Sequence, residues 1–197
     1  VYKRQGYIIG LPMGIVLTVT DKDGIRPNAA VYKVLDVISN LLRSIPFIIL
    51  LIVLIPFTRF VVGRSYGSTA TIVPLTIAAA PYIARMVESS LKEVDAGVIE
   101  AARSMGASDF QIVTKVMLVE ARTSLIVGAT ISLGTILGYS AMAGTVGGGG
   151  LGDIAIRYGY TRWQTDIMVV TVVLLVILFQ IFQTIGMKIA NRLDRRK

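Results

Sequence analysis

The sequence predicts an all-α polytopic membrane protein, one transmembrane domain over residues 1–197 with about five transmembrane helices. Composition is the first observation: 54% of residues are hydrophobic, 16% are charged, and the mean hydropathy is +0.70. A soluble domain averages about 25% charged residues. Charge spacing is the second. Uncharged runs of 16, 20, 30 and 21 residues separate Arg4 from Asp21, Arg64 from Arg85, Arg122 from Asp153 and Asp166 from Lys188. A helix needs about 20 mainly apolar residues to cross a bilayer.

The first apolar run, residues 6–20, holds 15 residues, about 22 Å as a helix and short for a hydrocarbon core of ~30 Å. The chain opens on Val1 and not Met, so the expectation is a truncated first span, with residues 1–5 of doubtful nativeness. No small-residue cleavage site follows the run, which argues against a signal peptide. The second span is expected over 41–62, with Arg43 and Arg59 snorkelling near its ends. The third is expected over 69–87, the fourth over 124–142 and the fifth over 167–187. Pro12, Pro46, Pro56, Pro74 and Pro81 fall within apolar runs and tend to kink their helices. Gly6, Gly10 and Gly14, and Gly134 and Gly138, recur four apart, a spacing that lets helix backbones approach closely. No charge is expected deep within these spans. Ion-coupled carriers place ionisable groups there, so energy for any transport should come from elsewhere.

Basic residues set the orientation. Segments 21–43, 88–124 and 188–197 hold thirteen Lys and Arg, and the opposite side holds six. The excess places the C-terminus and the 88–124 segment in the cytoplasm, and the basic tail at 188–197 near anionic headgroups. Net charge is +8. In so apolar a chain it reflects this asymmetry and not a nucleic-acid surface, because no aromatic–basic interleaving accompanies it. With no Cys and no His, disulfides, Fe–S and thiolate sites, imidazole catalysis and the common zinc sets are excluded. No P-loop motif occurs, so nucleotide hydrolysis by that route is excluded too.

The long cytoplasmic connection, 88–124, carries the main signal. It contains Glu100-Ala101-Ala102-Arg103-Ser104-Met105-Gly106-Ala107. Val98, Ile99, Ala102 and Met105 recur at helical spacing, and Gly106 is a helix stop. Ser108 with Gln111 three residues on forms a capping box, and Phe110, Val113 and Met117 make an apolar stripe on a second helix. Spacing alone leaves two readings open: a helix pair lying on the lipid surface, or a docking site for another protein. Glu100 would pair with a basic group on such a partner or hold Arg103 at i, i+3. The run Gly147-Gly148-Gly149-Gly150-Leu151-Gly152 satisfies G-x-G-x-x-G literally, but it follows an apolar span and not a strand. It is expected to be a flexible external loop letting spans four and five move. Met142 precedes it, either as packing or as part of a seal.

Glu100, Ala101, Ala102 and Gly106, followed by Val116 and Leu118, resemble the EAA loop of ABC-importer permeases, with Val119 where that family usually has Pro. Arg43-Ser44-Ile45-Pro46-Phe47, Ile72-Val73-Pro74-Leu75-Thr76, Ala80-Pro81-Tyr82-Ile83-Ala84-Arg85-Met86-Val87-Glu88, Gly138-Tyr139-Ser140-Ala141-Met142-Ala143-Gly144 and Arg157-Tyr158-Gly159-Tyr160 are similar to the permeases of methionine importers. The resemblance covers nearly the whole chain from about Gly6. It implies a type I importer in the cytoplasmic membrane: two copies of this permease, two cytoplasmic ATPase subunits and an extracytoplasmic substrate-binding lipoprotein. It also implies that Glu100, Ala101, Ala102, Gly106 and Ala107 belong to a coupling helix on the ATPase, that Met142 gates the outer end of the path, and that the permease holds no cofactor or metal. The alternatives are a permease of the same family for another small amino acid, a stand-alone secondary carrier or channel, and a membrane enzyme. Against the enzyme stands the lack of His, Cys and clustered carboxylates in the expected spans.

Overall fold

A computed structural model describes residues 2–193, so Val1 and the last four residues of the basic tail, 194–197, lie outside the described residues. Helix α1 runs over Tyr2–Thr20, through Pro12. It lies parallel to α5, Ile72–Lys92. The three glycines of α1 explain this pairing. A Cβ on Gly10 would sit 2.7 Å from the Ala80 carbonyl oxygen, and one on Gly14 2.5 Å from that of Ala84. Only glycine permits so close a crossing.

The chain then turns at 21–28, where the Asn28 side chain accepts from the Val31 amide at 3.1 Å and starts α2, Ala29–Ser44. Here the structure corrects the sequence. The second pass is α2 and not a continuous helix over 41–62. At Ile45-Pro46 the chain bends by 105° into α3, Phe47–Val53, and α4, Ile55–Val62, follows with Pro56 in its first turn. Proline lacks the amide that would continue a helix, and its ring clashes with the preceding turn. Hydropathy overlooked α2 because it contains Lys33, Asp36 and Arg43. Asp36 therefore lies inside a pass, against the expectation that no charge does, and is paired there with Arg85 of α5.

Antiparallel to α5 run both α2, with Tyr32 at Glu88 and Asp36 at Arg85, and α9, Arg122–Met142, with Ser124 at Ser90 and Thr135 at Tyr82. The last pass, α11, Thr165–Leu193, packs antiparallel on α9, with Phe179 over Gly134 and Leu193 at Arg122. Gly138 has nothing within 4 Å of a Cβ placed on it, so only Gly134 of that expected pair serves close packing. The bundle thus makes five passes: α1, α2, α5, α9 and α11. On length and apolarity alone α9 with its extension and α11 qualify as spans, or three if α2 and α3 are one bent span. Prolines in α1 and α5 and charges in α1, α2 and α5 dilute the hydropathy of those three helices.

Two apolar cores stabilise the ends. One joins Ala79, Ile83, Val87 and Leu91 of α5 to Ala102, Ile112 and Met117 of the 88–124 segment. The other gathers Phe47, Leu50 and Leu51 of α3 with Leu75, Ala78 and Ala143 at the opposite end. The glycine run near that second core is folded and not a loose loop. Gly147 and Gly149 take positive φ, a short helix α10 spans Gly150–Ile154, and Gly144 and Gly152 leave no room for a Cβ against neighbouring backbone. Glycine is used there for close approach as much as for turning.

Candidate functional site

The 88–124 segment forms a compact knob beyond the end of α5. Asp95 accepts from the Gly97 amide at 2.8 Å and starts α6, Ala96–Ser104. The helix ends as its sequence requires. Gly106 has φ of 80°, its amide donates to the Arg103 carbonyl at 2.9 Å, and the Ala107 amide donates to Ala102 at 3.1 Å. That is a Schellman cap with glycine in the left-handed position. Ser108 and Gln111 then form the capping box of α7, Asp109–Gln111.

The next turn departs from the expected stripe. Residues Ile112–Met117 are π-helical and lead into α8, Leu118–Glu120. In a π turn, residues five apart share a face. Ile112 and Met117 therefore both point into the core, while Phe110 is 77% exposed. Met105, on the other side of Gly106, is 81% exposed. The knob is rigid beneath, through Ala102, Ile112 and Met117, and presents two large apolar side chains outward.

Of the residues singled out by sequence, Glu100, Ala101 and Gly106 are exposed, Ala107 is half-buried and Ala102 is buried in the core. Glu100 has no ion-pair partner among the described residues. Arg103 instead donates to the Ile25 carbonyl at 3.0 Å, tying α6 to the turn after α1. The Glu100–Arg103 pair considered above is thus replaced by a bond that sequence spacing cannot show. Met142 is 45% exposed and ends α9 far from the knob. One turn earlier, Tyr139 stacks on Phe47 with ring centroids 4.7 Å apart and planes 10° apart.

Sequence reasoning missed an ionic chain at the knob end. Asp21 accepts from Lys92 at 2.8 Å, Lys92 donates to Glu88 at 2.8 Å, and Arg85 donates to Glu88 at 2.7 Å. Arg85 also reaches Asp36, and Asn40 at 3.1 Å. The Tyr32 hydroxyl completes the set on Glu88 at 3.3 Å. The Lys92 ammonium beside Asp21 holds that carboxyl below the usual carboxylate range. The signal available in sequence was periodic: Arg85, Glu88 and Lys92 on one face of α5, and Tyr32, Asp36 and Asn40 on one face of α2.

The described residues thus form a multi-pass helical bundle with a packed knob at one end. Over residues 10–197 the chain matches the family of binding-protein-dependent transport system inner membrane components, and it belongs to that family. It is therefore a multi-pass permease subunit of the cytoplasmic membrane. The probable D-methionine transport system permease protein MetI of Vibrio cholerae is 50% identical over 97% of this chain and 85% of its own length. The D-methionine transport system permease protein MetI of Escherichia coli is 56% identical over 71% of this chain and 64% of its own. Among solved structures, a chain of the MetNI methionine ABC transporter in inward facing conformations is 51% identical. Its TM-score is 0.96 over 98% of this chain and 90% of that one. A more distant amino acid ABC transporter, 19% identical with a TM-score of 0.75, shares the fold.

Proposed function

We propose that this chain is the permease subunit of an ABC importer that moves D- and L-methionine across the cytoplasmic membrane. It works as a homodimer with two copies of a cytoplasmic ATPase and with an extracytoplasmic binding lipoprotein. The observation that carries the mechanism is the knob: a single rigid unit continuous with the core of α5, with Met105 and Phe110 bare on either side of a left-handed glycine. Exposed apolar anchors on a supported protrusion suit insertion into a groove on a partner. Glu100, Ala101, Ala102, Gly106 and Ala107 are the coupling residues, and 88–124 is the coupling segment of a single permease domain. ATP is hydrolysed on the partner, and this chain makes and breaks no covalent bond. The substrate reading is supported by the identity to D-methionine permeases along most of the chain.

The knob, the 21–28 turn and the end of α11 face the cytoplasm in this reading. Placing the second pass at α2 moves Arg43 to the opposite end, yet the excess of basic residues stays at the knob end. Met142 is the outer gate, where an unbranched side chain repacks easily. Single cysteines at Ser108 and at Ser68, both exposed, test the orientation against a background free of native cysteine. An impermeant thiol reagent on intact cells is expected to label Ser68→Cys and spare Ser108→Cys, and the reverse pattern overturns the topology. Co-purification tests the partner: an ABC ATPase is expected at one copy per permease, and a permease that purifies alone contradicts the reading.

A further inference from the structure

The pass α2 has no covalent link to the knob, being joined to α5 only through packing and the long route by α3 and α4. Leu42 packs it on the apolar core at its far end and Ser39 is its one fully buried residue among those described, so towards the knob its hold on α5 is polar. The ionic chain supplies that hold. On α5, Arg85, Glu88 and Lys92 follow one face down to the last helical residue, three before the Asp95 cap of α6. On α2, Tyr32, Asp36 and Asn40 answer them. Glu88 is only 4% exposed and has both carboxylate oxygens engaged, by Tyr32 and Lys92 on one and by Arg85 on the other. Lys92 extends the chain to Asp21, four residues before the Ile25 carbonyl that receives Arg103 of the knob. Buried ion pairs are weak contributors to stability compared with apolar packing of the same volume, so one kept at this junction calls for a geometric role.

The far end of α2 completes the route. Beyond Ser44 the chain bends at Pro46, and Phe47 stacks on Tyr139, one turn before Met142. We propose that Glu88, with Arg85 and Asp36, fastens α2 to α5 so that a displacement of the coupling knob is carried along α2 to the Phe47–Tyr139 stack and the Met142 end of the path. Glu88 is a positioning residue: it acts through Tyr32, Arg85 and Lys92. The proposal rests on the importer reading above. It adds that α2, and not only α5 and α9, carries the stroke, with charge pairs as its fastening.

The test uses the assembled importer, permease with its ATPase and binding protein, in lipid vesicles. ATPase co-purification, ATP hydrolysis and methionine accumulated per ATP are compared for the parent, Glu88→Gln, Glu88→Asp and Asp36→Asn. Glu88→Gln is expected to assemble and hydrolyse ATP while uptake per ATP falls about fivefold or more, the lower edge of ordinary coupling energies. Asp36→Asn should fall in the same direction, and Glu88→Asp should recover most of the parental ratio. A second readout needs no substrate. A cysteine at Leu41, exposed on α2, is labelled with and without ATP in the parent and in Glu88→Gln. Its labelling rate should respond to nucleotide in the parent and lose that response in the variant. Parental coupling in both Glu88→Gln and Asp36→Asn, or hydrolysis and uptake falling in proportion, overturns the proposal. So does a Leu41 site whose nucleotide response survives Glu88→Gln. If Glu88→Gln does not assemble, Asp36→Asn decides by the same two readouts. A parent that hydrolyses ATP and moves α2 but imports no methionine overturns the substrate reading and leaves the fastening supported.

Discussion

Gly106 shows what a single position decides. With φ of 80°, any side chain there meets the preceding carbonyl, at a cost of about 1–2 kcal/mol for a left-handed non-glycine residue. Gly106→Val is therefore expected to loosen the turn of the knob and to reduce ATPase co-purification and uptake together. Glu100 is exposed and has no ion-pair partner among the described residues, so Glu100→Ala should leave permease stability within about 0.5 kcal/mol. If it meets a buried basic group on the ATPase, its loss costs about 2–5 kcal/mol in assembly. Pull-down of the ATPase against thermal unfolding of the permease separates the two effects. Met142→Ala should raise substrate leak or basal ATP turnover in reconstituted vesicles, and unchanged leak at equal expression would reduce Met142 to packing. The Gly106 stop and the Ser108–Gln111 box were legible because capping is local chemistry. The Arg103 bond to Ile25 was not, since it joins residues 78 apart.

Among the helices, hydropathy placed the long uncharged pass and missed the charged one. The ends of α9 match the expected fourth span closely, because 30 uncharged residues leave few alternatives. The second pass was misplaced because Lys33, Asp36 and Arg43 lower its hydropathy, and a one-dimensional scan cannot see that Asp36 is paired with Arg85 of α5. Of the apolar stripe on the second knob helix, Met117 and Val113 do pack on the core, but Phe110 does not: a π turn shifts the phase, turning Ile112 inward while Phe110 stays outward. The contact between the end of α1 and α5 carries its own prediction. Asp21 has a lowered pKa through its bond to Lys92, so its contribution is complete above the ordinary carboxylate value of about 3.9. It is lost as pH falls through the depressed value. Purified permease should lose thermal stability as pH is lowered below the ordinary carboxylate value, and Asp21→Asn should show a smaller loss over the same interval. An equal loss in both would remove Asp21 from the account.

At the scale of the whole molecule, the class of protein was written in composition and charge spacing, and the two capped helices of the 88–124 segment in its local sequence. What sequence alone could not give was how the passes are joined. A continuous core runs from α5 into the knob, and α2 is held by charge. In the proposed function these features would make the bundle a transmitter, driven at Met105 and Phe110 and opening near Met142. The central claim is that transport by this chain is driven through that knob by a separate ATPase. The most direct measurement is accumulation of labelled D- and L-methionine in vesicles holding the permease, its ATPase and the binding protein. Uptake is expected to need ATP and all three components, and to end when the ATPase is left out. Methionine uptake by the permease alone, or driven by an ion gradient without ATP, would contradict it.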